Sequence, residues 1–297
     1  MRADLATTIT EKLIAMMEQH GSNWRQPWTG NGLYRNAVTK KSYRGVNQLI
    51  VSLAGFKSPF LATYKQMTEL GAQVRKGEKA TTIFFWKPLS VKDRESDEEK
   101  QIMMARTYSV FSLDQVDNPP NLIIEPRPEI ERHAECDRLL AESGAVVSFG
   151  HDKAAYIPSQ DRIIMPAANQ FESRDAFYAT LSHEWVGHWT GAKNRLDRNL
   201  KGRFGDPNYQ FEELIAESAS AFFCAAVGII PEPRKETAQY LNGWIRGMKD
   251  DKQAIVRAFS HAQRAVDFIL KETPEHAPAP TRPGDEREAP SPEVVPT

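Results

Sequence analysis

SRDAFYATLSHEWVGHWTG (173–191) is the stretch on which the reading of this chain turns. Ser173 suits an N-cap, where its hydroxyl accepts from a backbone N–H of the first helical turn. Phe177, Leu181 and Trp185 recur every fourth residue, which is one face of a helix. His183 and Glu184 stand side by side on it. Neutral imidazole is a borderline ligand suited to zinc. A carboxylate one position along lies beside the ion and can take a proton from a water whose pKa the metal lowers. His183 is therefore read as a metal ligand and Glu184 as the catalytic base.

The second histidine arrives one residue late. In the pattern H-E-x-x-H the two imidazoles are about 40° apart around a regular helix. Here the string is His183-Glu184-Trp185-Val186-Gly187-His188, and the same arithmetic gives about 140°, too wide for one ion. Three arrangements are open. A π-bulge at Gly187 absorbs the extra residue; or the helix ends near Gly187 and His188 enters from a turn; or His188 is not a ligand. His188 is carried forward as the second ligand.

FEELIAESASAFFCAAVGI (211–229) offers the third. Glu213 and Glu217 are four apart and share a helix face. Small and apolar residues follow Glu217, so its carboxylate projects from an otherwise buried helix and needs a partner such as a metal. Glu217 is the first choice as ligand. Glu213 is the second choice, better suited to orienting a histidine; the plain alternative is that one or both face solvent at the helix start. One divalent metal is expected, zinc ahead of manganese. Trp185, Trp189, Tyr209 and Cys224 read as packing residues, and His151 and His261 as ordinary lone histidines.

The chain has 297 residues, enough for two domains of ordinary size. No apolar run approaches the roughly 20 residues of a membrane span, so no membrane partner is expected. The N-terminus reads as an amphipathic helix and lacks a secretory signal. With only two distant cysteines, Cys136 and Cys224, a reduced, cytoplasmic setting is expected. TTIFFWKPLSV (81–91) and ARTYSVFSL (105–113) read as strands around an acidic loop at 93–100. Residues 118–130 read as a proline-rich linker. A helix at about 130–143, strands near 144–150 and 154–166 with a turn at 159–161, and mostly helix over 172–272 complete the second unit. The Pro/Glu-rich tail 273–297 is expected to be disordered.

Net charge is divided unequally. Residues 1–91 hold 13 Lys/Arg against 5 Asp/Glu, a balance of +8; the remainder holds 25 against 34, a balance of −9. The basic half interleaves cations with aromatics: Trp24, Arg25, Trp28, Tyr43 and Arg44, then Arg75, Lys76 and Lys79 before the strand that carries Trp86. Cations that track phosphates and rings that stack on bases suit single-stranded nucleic acid. The competing reading for the tryptophans is a small core with cations scattered outside it.

These segments together resemble the ArdC-type antirestriction proteins of conjugative plasmids. The likeness covers nearly all of 5–272. It rests on WRQPW (24–28), YRGVN (43–47), GAQVRKGEKATTIFFWK (71–87), YIPSQDRIIMP (156–166), TLSHEWVGHWTGAKNRLDR (180–198) and FGDPNYQFEELIAE (204–217). The resemblance implies an N-terminal single-stranded-DNA-binding domain and a zincin-like, gluzincin-type metallopeptidase domain. It also implies protection of incoming plasmid DNA from host restriction; the peptidase target does not follow from the resemblance, and a host restriction component is carried forward as the candidate protein target. The expectation is an α+β protein of two domains: 1–117, a small mixed domain binding single-stranded DNA; 118–130, a linker; and 131–272, a mostly helical zincin-like domain. A DNA-binding protective module with a structural metal is the alternative. A nuclease fits less well, since phosphodiester chemistry favours carboxylate-rich magnesium sites or paired metals.

Overall fold

The computed structural model describes residues 2–20, 33–92, 99–124, 128–202, 206–230 and 237–272. The basic half is organised on a four-stranded sheet. Its strands are β1 (Arg35–Asn36), β2 (Phe60–Thr63), β4 (Thr81–Lys92) and β5 (Glu99–Ser112), in the order β1-β2-β5-β4. β1 and β2 are parallel; the other pairs are antiparallel, with β4 and β5 matched from Thr81↔Val110 to Lys92↔Glu99. β3 (Gln73–Val74) pairs with β6 (Val116–Asp117) beside it. Two short helices, α2 (Val46–Ser52) and α3 (Tyr64–Glu69), punctuate the strands. Thr63 and Gln66 close a capping box at the start of α3, so two backbone donors that the first turn leaves open are satisfied.

The second half begins with α4 (Glu129–Ser143) and a three-stranded sheet of β7 (Val146–Phe149), β8 (Ala155–Ile157) and β9 (Arg162–Met165). The order is β7-β9-β8, with β8 an antiparallel edge strand. Four α-helices follow among the described residues. α5 (Arg174–Ser182) starts at Ser173, whose Oγ accepts from Ala176 N–H, as the sequence indicates. α6 (Pro207–Val227) is buried from Glu212 to Cys224 and forms the centre of this half. α7 (Thr237–Asp250) and α8 (Ala254–Leu270) pack around it. Among the described residues no helix is long and apolar enough to cross a membrane.

The expected break at residue 117 is not a break in the core. The first helix, α1 (Arg2–His20), buries Ile9, Leu13, Ile14 and Met17 in the same cluster as Ile255, Phe259 and Val266 of α8 and Phe222 of α6. Leu49 of α2 and Leu53, its C-cap, join it too. Thr10 Oγ1 donates to the Lys252 carbonyl at 2.8 Å, and Lys249 pairs with Glu18 at 2.6 Å. An amphipathic stripe shows that a helix must bury one face but not which surface covers it. Here the covering surface lies more than 200 residues away in sequence. Residues 118–124 of the expected linker carry no helix or strand, and α4 starts at Glu129; residues 125–127 lie outside the described residues. Residues 93–98 of the acidic loop and the tail 273–297 lie outside the described residues.

Candidate metal centre

The turn from His183 to His188 is a π-helix continuing from α5. Trp189 N–H reaches back five residues to the Glu184 carbonyl. The wider turn absorbs the one residue by which this string exceeds H-E-x-x-H, so both imidazoles point the same way. His183 Nε2 and His188 Nε2 lie 3.2 Å apart. Gly187 makes this approach sterically feasible: a Cβ there would stand 2.7 Å from the Ala216 Cβ, so the π-turn sits directly on α6.

Contact with α6 decides the third group. Glu213 Oε2 lies 3.4 Å from His183 Nε2, and Glu213 Oε1 lies 3.7 Å from His188 Nε2. Ligand atoms of His183, His188 and Glu213 all fall within 4.8 Å of one another. At bond lengths of about 2.0–2.1 Å, the edge of a tetrahedron around zinc is about 3.3 Å. The observed separations fit that edge, so the donor set fits a single divalent cation. Charge argues the same way. Glu184, Glu213 and Glu217 are buried beside Glu212, which pairs with Arg198, and the remaining three carboxylates are an excess of negative charge that needs compensation.

This reverses the order of the two sequence candidates. Glu217 Oε1 faces the other edge of His183, 3.5 Å from Nδ1, while Glu213 faces Nε2. One helical turn separates the carboxylates, and only packing of α6 against the π-turn decides which is level with which nitrogen. Glu217 thus stands where it orients His183, and Glu213 where it can bind.

Glu184 is buried and its Oε2 accepts from Tyr156 N–H of edge strand β8 at 2.9 Å. Tyr156 OH donates to Asp161 at 2.8 Å, and Arg195 bridges Asp161 and Tyr156 while its guanidinium lies 3.8 Å above the Trp189 ring. These contacts fix β8 over the π-turn. Burial lowers the affinity of His188 for a proton. Glu212, Glu184 and Glu213 outweigh it and hold the pKa up at about 9. Burial likewise pushes Glu213 up, but the two histidines outweigh it and hold it at about 2. Sequence reasoning missed Glu212, Arg198 and Tyr156. Glu212 had a usable signal in its adjacency to Glu213; the other two reach the site only through tertiary contacts.

Residues 134–261 match the family described as zincin-like metallopeptidase, and residues 3–111 match the N-terminal domain of anti-restriction factor ArdC. The chain is 37% identical to the antirestriction ArdC protein from plasmid R388 in its metal-free crystal structure. That match covers 90% of this chain and 97% of the other, with a TM-score of 0.74. This chain belongs to the ArdC antirestriction family. The Mn(II)-bound crystal structure of the R388 protein matches this chain at 35% identity, with the same coverage and a TM-score of 0.72. An uncharacterized protein, y4eC, from Sinorhizobium fredii is 36% identical over 283 residues, 90% of this chain and 91% of that one. DNA primase TraC from Escherichia coli is 36% identical over 287 residues; that match takes in 88% of this chain but only 26% of the primase.

The ArdC N-terminal region carries the expected DNA-binding residues, and the structure separates them. Tyr43 is 6% exposed and packs with Val51, Leu61, Ile83 and Val110 in the core of the sheet. It is a packing residue and not a stacking platform, because its alternation with Arg44 points the ring inward. Arg44 pairs with Asp267 and, at 2.8 Å, with Glu272, and so fastens the basic half to the end of α8. Arg75 pairs with Glu78 and donates to the carbonyls of Asp114 and Val116, holding the β3–β6 pair together. Lys76 and Lys79 are exposed, with no ion pair among the described residues. Trp86 lies on β4 with its side chain outside the described ones, and Trp24, Arg25 and Trp28 lie outside the described residues altogether.

Proposed function

We propose that this protein is a plasmid antirestriction factor that binds single-stranded DNA through its basic half. It also holds one divalent metal between His183, His188 and Glu213 for peptide hydrolysis. The observation that carries the reading is the convergence of two imidazole nitrogens and one carboxylate at tetrahedral-edge distances, with a second buried carboxylate, Glu184, adjacent in the chain. Two imidazoles and a glutamate suit zinc, and the Mn(II)-bound relative makes manganese the second candidate. A bound cation supplies Lewis acidity, polarising a carbonyl and acidifying water. Glu184, held by Tyr156 N–H, takes the proton and passes it to the leaving amine. Glu217 fixes the His183 ring through its Nδ1 edge. The substrate class is a protein, with a host restriction component as target, met in the cytoplasm of a recipient cell during conjugation.

Glu184→Gln tests this directly. It should abolish protection of incoming DNA while leaving Mn(II) binding and single-strand affinity intact. Full protection by that variant would overturn the peptidase reading.

A second reading is favoured by the exposed Lys76 and Lys79 beside the β3 turn: DNA coating protects, and the metal is structural. Replacing both lysines by alanine should then remove protection. It should also reduce the salt slope of single-strand binding by about 1.4, at about 0.7 per phosphate contact. Retained protection without DNA binding excludes coating.

A further inference from the structure

Arg198 lies ten residues beyond His188, in the segment between the π-turn and α6, and its side chain is 3% exposed. The guanidinium is divided between two tasks. On one side, Nη2 and Nε reach Glu212, at 2.7 Å and at 3.1 and 3.2 Å. On the other, Nη2 donates to the Gly187 carbonyl and Nη1 to Thr190 Oγ1 at 3.2 Å.

Both tasks bear on the metal centre. A π-turn shifts the backbone ladder, and carbonyls beside the shift turn to other donors. Here Thr190 Oγ1 donates to the Val186 carbonyl at 2.7 Å, and Arg198 takes the Gly187 carbonyl. Glu212, gripped by the guanidinium fork, faces His188 Nδ1 at 3.8 Å, while Nε2 of the same ring points at His183 and Glu213. Space for the guanidinium depends on residue 191 being glycine, since a Cβ there would stand 2.7 Å from Nη2.

We infer that Arg198 is a positioning residue of this centre, acting on His188 and the π-turn. One guanidinium fixes the π-turn through Gly187 and aims His188 through Glu212, which is what lets a six-residue His-to-His string hold one ion. Lysine cannot replace it, because a single ammonium lacks the planar fork that meets a carboxylate and a carbonyl together. The inference rests on the metal-binding reading of His183, His188 and Glu213.

The test is Mn(II) titration by calorimetry on the full chain, with the melting temperature of each metal-free protein measured beside it. Arg198→Lys should weaken Mn(II) binding about 10- to 100-fold, the range for groups that orient metal ligands. Glu212→Gln should do likewise. The double variant should lose less than the product of the two single losses, because both act on His188 along one route. Arg198→Met with Glu212→Met removes both buried charges and keeps a foldable comparison; it should melt near the wild type and still bind Mn(II) weakly. Wild-type affinity in a folded Arg198 variant, or fully multiplicative losses, overturns this inference alone. A wild-type chain that binds no Mn(II) overturns the metal reading and this inference with it.

Discussion

His183 and His188 present their Nε2 atoms 3.2 Å apart although they stand five positions apart in the chain. A regular helix would splay them by about 140°; the π-turn brings them back. The turn rests on α6 through Gly187, so side-chain volume at that position is the sensitive variable. Gly187→Ala adds a methyl 2.7 Å from the Ala216 Cβ. We expect a loss of about 1–3 kcal/mol of stability from overpacking and weaker Mn(II) binding. Thermal unfolding of the metal-free protein checks the first and titration the second. An unchanged melt would mean the two backbones part easily.

Glu213 and Glu217 should separate in a metal titration. Glu217→Gln keeps a group at the His183 Nδ1 edge and should weaken binding by about 10- to 100-fold, as for an orienting residue. Glu213→Gln removes a facing donor and should cost more than that. A larger loss at Glu217 would restore the order read from the sequence.

Metal binding should release a proton near neutral pH. With the His188 pKa held at about 9, the ion must displace that proton, so apparent affinity should climb with pH and level off above about 9. Calorimetry in buffers of different ionisation enthalpy counts the proton. The same shift has a sign for the metal-free chain. The folded value lies above the ordinary 6.5, so this group's stabilisation is complete below pH 6.5 and is lost as pH rises through 9. Denaturant midpoints at pH 6 and pH 9 read it out.

Arg44 should behave as a structural clamp. Arg44→Ala leaves Asp267 and Glu272 without that partner and should cost about 1 kcal/mol, since the pair is partly screened by solvent. Single-strand affinity, followed by fluorescence anisotropy, should stay within twofold. A large drop in affinity would return Arg44 to the DNA-binding surface.

The helical elements around the metal centre were legible because their signals are local. Ser173 begins α5 as an N-cap, the four-residue apolar spacing carries it to Ser182, and His183 and Glu184 fall at its end. The pairing of β4 with β5 was legible over 81–91 and 105–112, two runs of β-branched and aromatic residues; the start of β5 at Glu99, inside the stretch read as a loop, was not. The basic half was read less well. Tyr43 and Arg44 look alike to a composition argument, yet one is core and the other an ion-pair clamp. Their partners lie on other elements, and neighbouring residues in an extended segment point opposite ways.

The sequence alone determined that a histidine and a glutamate share a helix end, that a second acidic helix must face them, and that basic and acidic residues divide between the two halves. Those are properties of residue type and near-neighbour spacing. Tertiary structure alone decided that α1 completes the core of the distant half, and that the surplus residue before His188 is taken up as a π-turn. It also decided that Glu213 and not Glu217 meets the Nε2 atoms, and that Arg198 reaches back to hold the turn. Each of these depends on the level and depth at which two elements pack, a matter of a few ångströms fixed by contacts such as Gly187 on Ala216, which no periodicity in the chain encodes.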